Sequence, residues 1–131
     1  MKNFNTFTFI FAVLMMSSMM GNAQNKTGEG KLLRHVVLLK FKDSALPADV
    51  KKVEEAFVGL KKKIKLIKDF EWGTNNSPEM LADGFTHCFF VTFADEKGRE
   101  TYLPHAAHQE FVDLVKPRLE KVLVVDYWAE R

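Results

Sequence analysis

Apolar and polar residues alternate from Leu33 to Phe41, so that Leu33, His35, Val37, Leu39 and Phe41 share one face of a predicted strand and Arg34, Val36, Leu38 and Lys40 the other. Both faces are partly apolar, as expected of a sheet covered by helices on one side and by something else, such as a second subunit, on the other. His35 falls on the more apolar face and is expected to point toward the helices. From Pro47 the period lengthens: Val50, Val53, Phe57, Leu60 and Ile64 recur at steps of three and four, predicting a core-facing helix over 47–65. Its last turns carry Lys61, Lys62, Lys63 and Lys65, a solvated end that complements the negative pole of the helix dipole.

A short strand containing Phe70 and Trp72 is predicted over 67–73, followed by a loop over 73–84 rich in Asn, Ser, Pro and Asp. Alternation returns over 85–93, with Phe85, His87, Phe89, Val91 and Phe93 on one face and Thr86, Cys88, Phe90 and Thr92 on the other. A short helix over 95–103, a longer one over 104–115 and a last strand over 121–130 complete the chain. The order strand, helix, strand, strand, helix, strand defines an α+β, ferredoxin-like βαββαβ fold, in which both main helices lie on one face of a four-stranded antiparallel sheet. Val36, Leu38 and Phe90 stay on the uncovered face, where a homodimer packing sheet on sheet would bury them.

Composition narrows this picture. At 131 residues and 47% hydrophobic content, the chain suffices for one domain with one core. The single cysteine, Cys88, excludes an internal disulfide framework and a multi-cysteine zinc site. In a strand it reads as a small buried hydrophobe rather than a nucleophile. A formal net charge of +2 supplies no broad basic field for nucleic acid.

Residues 1–23 have the form of a secretory signal: Lys2 at the positive end, an apolar core over 7–16, and Gly21-Asn22-Ala23 before a cleavage point. That core is too short to span a bilayer. The alternative is an uncleaved anchor, although no cysteine follows the apolar run to take a lipid. The mature chain would begin near Gln24, with a flexible lead-in over 24–31 and the domain over 32–131. It is expected to be exported, periplasmic or secreted, without a stable membrane anchor.

The chemistry concentrates in Tyr102-Leu103-Pro104-His105-Ala106-Ala107-His108-Gln109-Glu110-Phe111. If a helix starts at Pro104, then His108, Phe111, Val112 and Val115 fall on one stripe and His108 points inward; His105 sits a turn earlier, near the rim. As metal ligands His105 and His108 lack an evident third partner beyond His35, so no metal is expected. His87 reads as a core histidine satisfied by a hydrogen bond.

The segment Arg34-His35-Val36-Val37-Leu38-Leu39-Lys40-Phe41-Lys42-Asp43, then Trp72-Gly73, Phe85-Thr86-His87 and Tyr102-x-x-His105-x-x-His108, resembles in this order the stress-responsive dimeric α/β-barrel (Dabb) family. The resemblance spans 32–130 and implies ferredoxin-like subunits that pair through their sheets into a barrel. It is strongest with the polyketide cyclases of that family, at His35, Tyr102 and His108; the last two would carry a cofactor-free intramolecular aldol condensation. Asp126 corresponds to an aspartate near the helix histidine. Two positions depart from the family pattern: its His-Pro-x-His is His105-Ala106-Ala107-His108 here, and a pocket tyrosine falls at Phe57, which removes a hydroxyl.

On that reading His108 takes a proton beside a carbonyl, Asp126 fixes its tautomer, and Tyr102 donates to the developing oxyanion. His35 hydrogen-bonds substrate or Tyr102, while Val37, Phe57, Phe89 and His105 line the pocket. Haem and flavin occur on related barrels, but no residues suited to either are evident and no cofactor is expected. Three classes remain open: a cyclase or lyase acting on a small carbonyl compound, a binding protein without turnover, and a structural or stress-associated dimer whose polar groups satisfy one another in a filled interior.

Overall fold

The computed structural model describes residues 30–130; the signal expected over 1–23 and most of the lead-in lie outside the described residues. The elements are β1 (Leu33–Phe41), α1 (Pro47–Lys63), β2 (Asp69–Thr74), β3 (His87–Phe93), α2 (Glu96–Tyr102), α3 (Ala106–Val115), a 3₁₀ turn (Lys116–Arg118) and β4 (Leu119–Trp128). They form one antiparallel sheet in the order β2-β3-β1-β4. This is the ferredoxin-like arrangement that the alternating periods predict.

Local chemistry sets the boundaries. Pro47 begins α1 in the first turn, where its missing N–H costs nothing. The helix ends at Lys63 rather than 65, because Ile64 turns to extended backbone and drives its side chain into the core. The carboxylate of Asp95 caps α2 by accepting from the Gly98 N–H at 2.7 Å. β4 starts two residues earlier than its pattern suggests: the turn around Pro117 closes at Arg118, and Leu119 already pairs with Phe41 across an irregularity in the β1–β4 ladder.

The core lies between the sheet and the helices α1 and α3. Phe57 of α1 is its hub, stacking on Phe89 at 4.4 Å between ring centres and lying 4.3 Å from Phe111 and 5.3 Å from Phe70. Around it Leu33, Leu39, Val53, Leu60, Ile64, Val91 and Phe93 are fully buried. Deleting a ring like Phe57 costs about 3–5 kcal/mol through lost burial and the void left behind. Cys88, expected buried, is only half-buried, since it points to the opposite face.

That opposite face carries Val36, Leu38 and Phe90, each half-buried by neighbouring side chains. Leu123, Val125 and Tyr127, opposite Leu38, Val36 and Arg34, continue it on β4 and are 44%, 48% and 44% exposed. The helix-facing side of β4 is open as well: Val122 and Val124 are 54% and 48% exposed although their partners Leu39 and Val37 are buried. α1 and α3 cover β1 and β3, whereas the edge strand β2 is largely exposed and the helix-facing side of β4 is left as a bare wall.

Candidate functional site

That bare wall closes one side of a cavity of about 610 Å³, framed by β1, β4, α3 and the end of α2, with Phe57 of α1 at its base. Val37, Leu39, Phe111, Val112, Val115, Val122 and Val124 make most of the lining apolar, while His35, Tyr102, His108 and Asp126 gather at one end. Of the expected pocket residues, Val37 and Phe57 line it. Phe89 and His105 do not. Phe89 lies beneath Phe57, sealed between that ring and the sheet.

His105 has a different task because α3 begins at Ala106, not at Pro104. His105 is extended (φ −60°, ψ 134°) and serves as the helix cap, its Nδ1 accepting the Ala107 N–H at 3.1 Å. His108 then sits in the first turn, its ring 4.3 Å from that of Tyr102. The Leu103 carbonyl, at the end of α2, accepts from His108 Nδ1 at 2.8 Å and from Gln109 Nε2 at 2.7 Å. A carbonyl can only accept, so the proton is on Nδ1 and Nε2 keeps its lone pair.

Asp126 was expected to orient His108, and it does not. Strand register places it directly opposite His35, and its Oδ1 accepts from His35 Nδ1 at 2.6 Å. Its Oδ2 accepts from Arg99 Nη1 at 3.1 Å. Of the two partners expected for His35, substrate or Tyr102, the tyrosine is not hydrogen-bonded to it; the rings meet edge to face with centres 5.9 Å apart. The Tyr102 hydroxyl is buried and has no hydrogen-bond partner among the described residues. Sequence reasoning passed over the Leu103 carbonyl and Arg99. The signal for Arg99 was its i, i+3 spacing from Tyr102 on one helix; a backbone acceptor leaves no side-chain signal.

Two shifts follow from these surroundings. Burial pushes the Tyr102 phenol well above its ordinary range, so it stays a proton donor. Burial also holds the His108 imidazole below its ordinary value, aided by His35 and His105 nearby and opposed by the bond to Leu103. The lowered value favours the neutral ring, whose Nε2 has no hydrogen bond among the described residues. Among the described residues no group of three or more His, Cys, Asp or Glu is arranged to hold a metal ion.

A ferredoxin-like subunit with histidine, tyrosine and aspartate side chains gathered at one end of a largely apolar cavity defines a fold class rather than a single activity. The match to the Stress responsive A/B Barrel Domain model over residues 33–129 places this chain in that family, Dabb, to which it belongs. It is 37% identical over 95 residues to the stress-response A/B barrel domain-containing protein HS1 of Arabidopsis thaliana, covering 72% of this chain and 87% of that one. It is 33% identical over 95 residues to olivetolic acid cyclase of Cannabis sativa, covering 72% and 94%. The hydroxynitrile lyase of Passiflora edulis superposes with a TM-score of 0.73 at 25% identity, over 76% of this chain and 94% of that one. A ferredoxin-like protein from Thermobifida fusca, described as dimeric, superposes with a TM-score of 0.65 at 21% identity, over 76% and 92% of the two chains.

Proposed function

We propose that this chain is an exported, homodimeric Dabb protein whose cavity takes a small carbonyl compound and acts on it as a cofactor-free cyclase or lyase. The observation that carries the reading is the unpartnered, buried Tyr102 hydroxyl beside the free Nε2 of His108. A buried hydroxyl without a partner costs about 1–3 kcal/mol, a cost relieved when a ligand oxygen accepts from it. In an aldol step, His108 Nε2 takes the proton from carbon beside one carbonyl, and the carbanion bonds to a second carbonyl carbon of the same molecule. Tyr102 donates a hydrogen bond to the oxygen that gains charge, and the proton on His108 passes to that oxygen to give the alcohol.

The cyclase and lyase names borne by two relatives support this class of chemistry. The exposed apolar side chains on the open sheet face support pairing through that face. Binding without turnover is the second reading, favoured by the predominantly apolar lining, which Lys116, Glu120 and Lys121 also join.

The test is native mass spectrometry of the full chain for a dimer and a retained ligand. It is followed by turnover of mandelonitrile, scored as benzaldehyde release, and of a linear poly-β-ketone, scored as ring formation. Turnover abolished in His108→Ala establishes the enzyme. A ligand bound equally by both forms with no turnover in either leaves binding alone.

A further inference from the structure

Asp126 is held from two sides, and the second holder lies outside the acid–base cluster. Arg99 and Tyr102 are one turn apart on α2, so a single short helix brings both a guanidinium and the unpartnered hydroxyl to this end of the cavity. The Asp95 cap on the Gly98 N–H anchors the first turn of that helix, directly before Arg99. Arg99 Nη1 takes Asp126 Oδ2 while His35 Nδ1 takes Oδ1, so the carboxylate bridges a permanent cation and an imidazole. The Arg99 side chain is 20% exposed and that of Asp126 30%, sheltered enough for the pair to resist screening better than a free surface bridge.

We propose that Arg99 is a positioning residue of this cavity: by engaging one oxygen of Asp126 it fixes the carboxylate, and through it the orientation and proton balance of His35. A carboxylate held only by His35 is free to rotate about its side-chain torsion, and its whole negative charge would act on that ring. With Arg99 in place, half of its hydrogen-bonding capacity and much of its field are engaged elsewhere. His35 Nε2, which has no hydrogen bond among the described residues, is then the remaining polar atom of a ring fixed in the cavity wall. The titratable and charged groups facing His35 are Asp126 on β4, Arg99 and Tyr102 on α2, and His108 on α3, with His105 near His108.

The inference rests on reading this cavity as a site, but its test needs no turnover. In the full chain, with histidine rings isotopically labelled, NMR follows the four imidazoles as pH is varied. Arg99→Gln removes the cation beside the His35–Asp126 pair, and the His35 midpoint is expected to rise by roughly half a pH unit or more. Arg99→Lys keeps the charge and is expected to restore most of the shift. His87, paired with Glu54 elsewhere in the sheet, is the internal control and should not move. Arg99→Met, which keeps the aliphatic stem, replaces the Gln variant if that does not fold. An unmoved His35 midpoint overturns the proposal, as does an equal shift at His35 and His87. Absence of turnover in the wild type would sink the lyase reading and leave the His35 shift untouched.

Discussion

Two histidine–carboxylate pairs stand on the helix-facing side of this sheet, and they do different things. His35 and His87 are both buried, at 5% and 8% exposure, and each touches a carboxylate, Asp126 at 2.6 Å and Glu54 at 3.0 Å. Around His87 both ring nitrogens are engaged, although the ring also lines a smaller cavity of about 380 Å³. Its Nδ1 meets Thr86 Oγ1 at 2.8 Å, Trp72 stacks parallel to it, and Phe41 packs on its edge. His35 has one nitrogen engaged and shares its cavity with an unpartnered tyrosine hydroxyl and a second histidine. The residue types are the same, so residue type does not mark the site. What marks it is the polar capacity left unused beside open space.

The largest expected difference separates turnover from stability. His108→Ala should lower turnover by about 100- to 10,000-fold, the usual range for a positioned base, with little change in thermal midpoint. Comparable turnover in the variant would move the base elsewhere. His87→Ala should do the opposite: leaving Glu54 without its partner costs about 2–3 kcal/mol in urea unfolding, with ligand affinity unchanged. If His87→Ala lost ligand instead, the two pairs would not differ as described.

A sharper contrast comes from Tyr102→Phe, which removes a hydroxyl without a partner among the described residues. Urea unfolding should find it as stable as the wild type or more stable by up to about 1 kcal/mol, while ligand affinity falls about tenfold. Marked destabilisation would mean the hydroxyl is satisfied within the fold. The smallest effect is on pH dependence. The folded state holds the His108 imidazole below its ordinary value of 6.5, so the unfolded chain binds its proton first as pH falls. Its contribution to stability is complete above 6.5 and is lost as pH drops through the lower folded value. His108→Gln should flatten that part of a urea-stability profile taken between pH 7.5 and 5.

Much of the fold was legible because its signals are local. The alternation of β1 and β3 and the three-and-four spacing of α1 state which faces are buried, and the element order leaves one common topology. Pro104 misled, because a proline suits a first helical turn as well as the turn before a cap, and only the extended backbone of His105 decides between them. Tyr102, His108 and His35 were legible by their likeness to the Dabb family. Their partners were not. Whether Asp126 serves His35 or His108 depends on the β1–β4 register, and the group that orients His108 is a backbone carbonyl. The bare side of β4 was equally hidden, since its alternating valines look the same whether or not a helix covers them.

The most direct test of the central claim is to add mandelonitrile or a small β-diketone to the labelled full chain and watch the four histidine rings. Signals of His35 and His108 should shift together, saturably, while that of His87 stays still. Shifts at His87 of the same size, or no saturable shift at His35 and His108, would contradict the assignment of this cavity as the site.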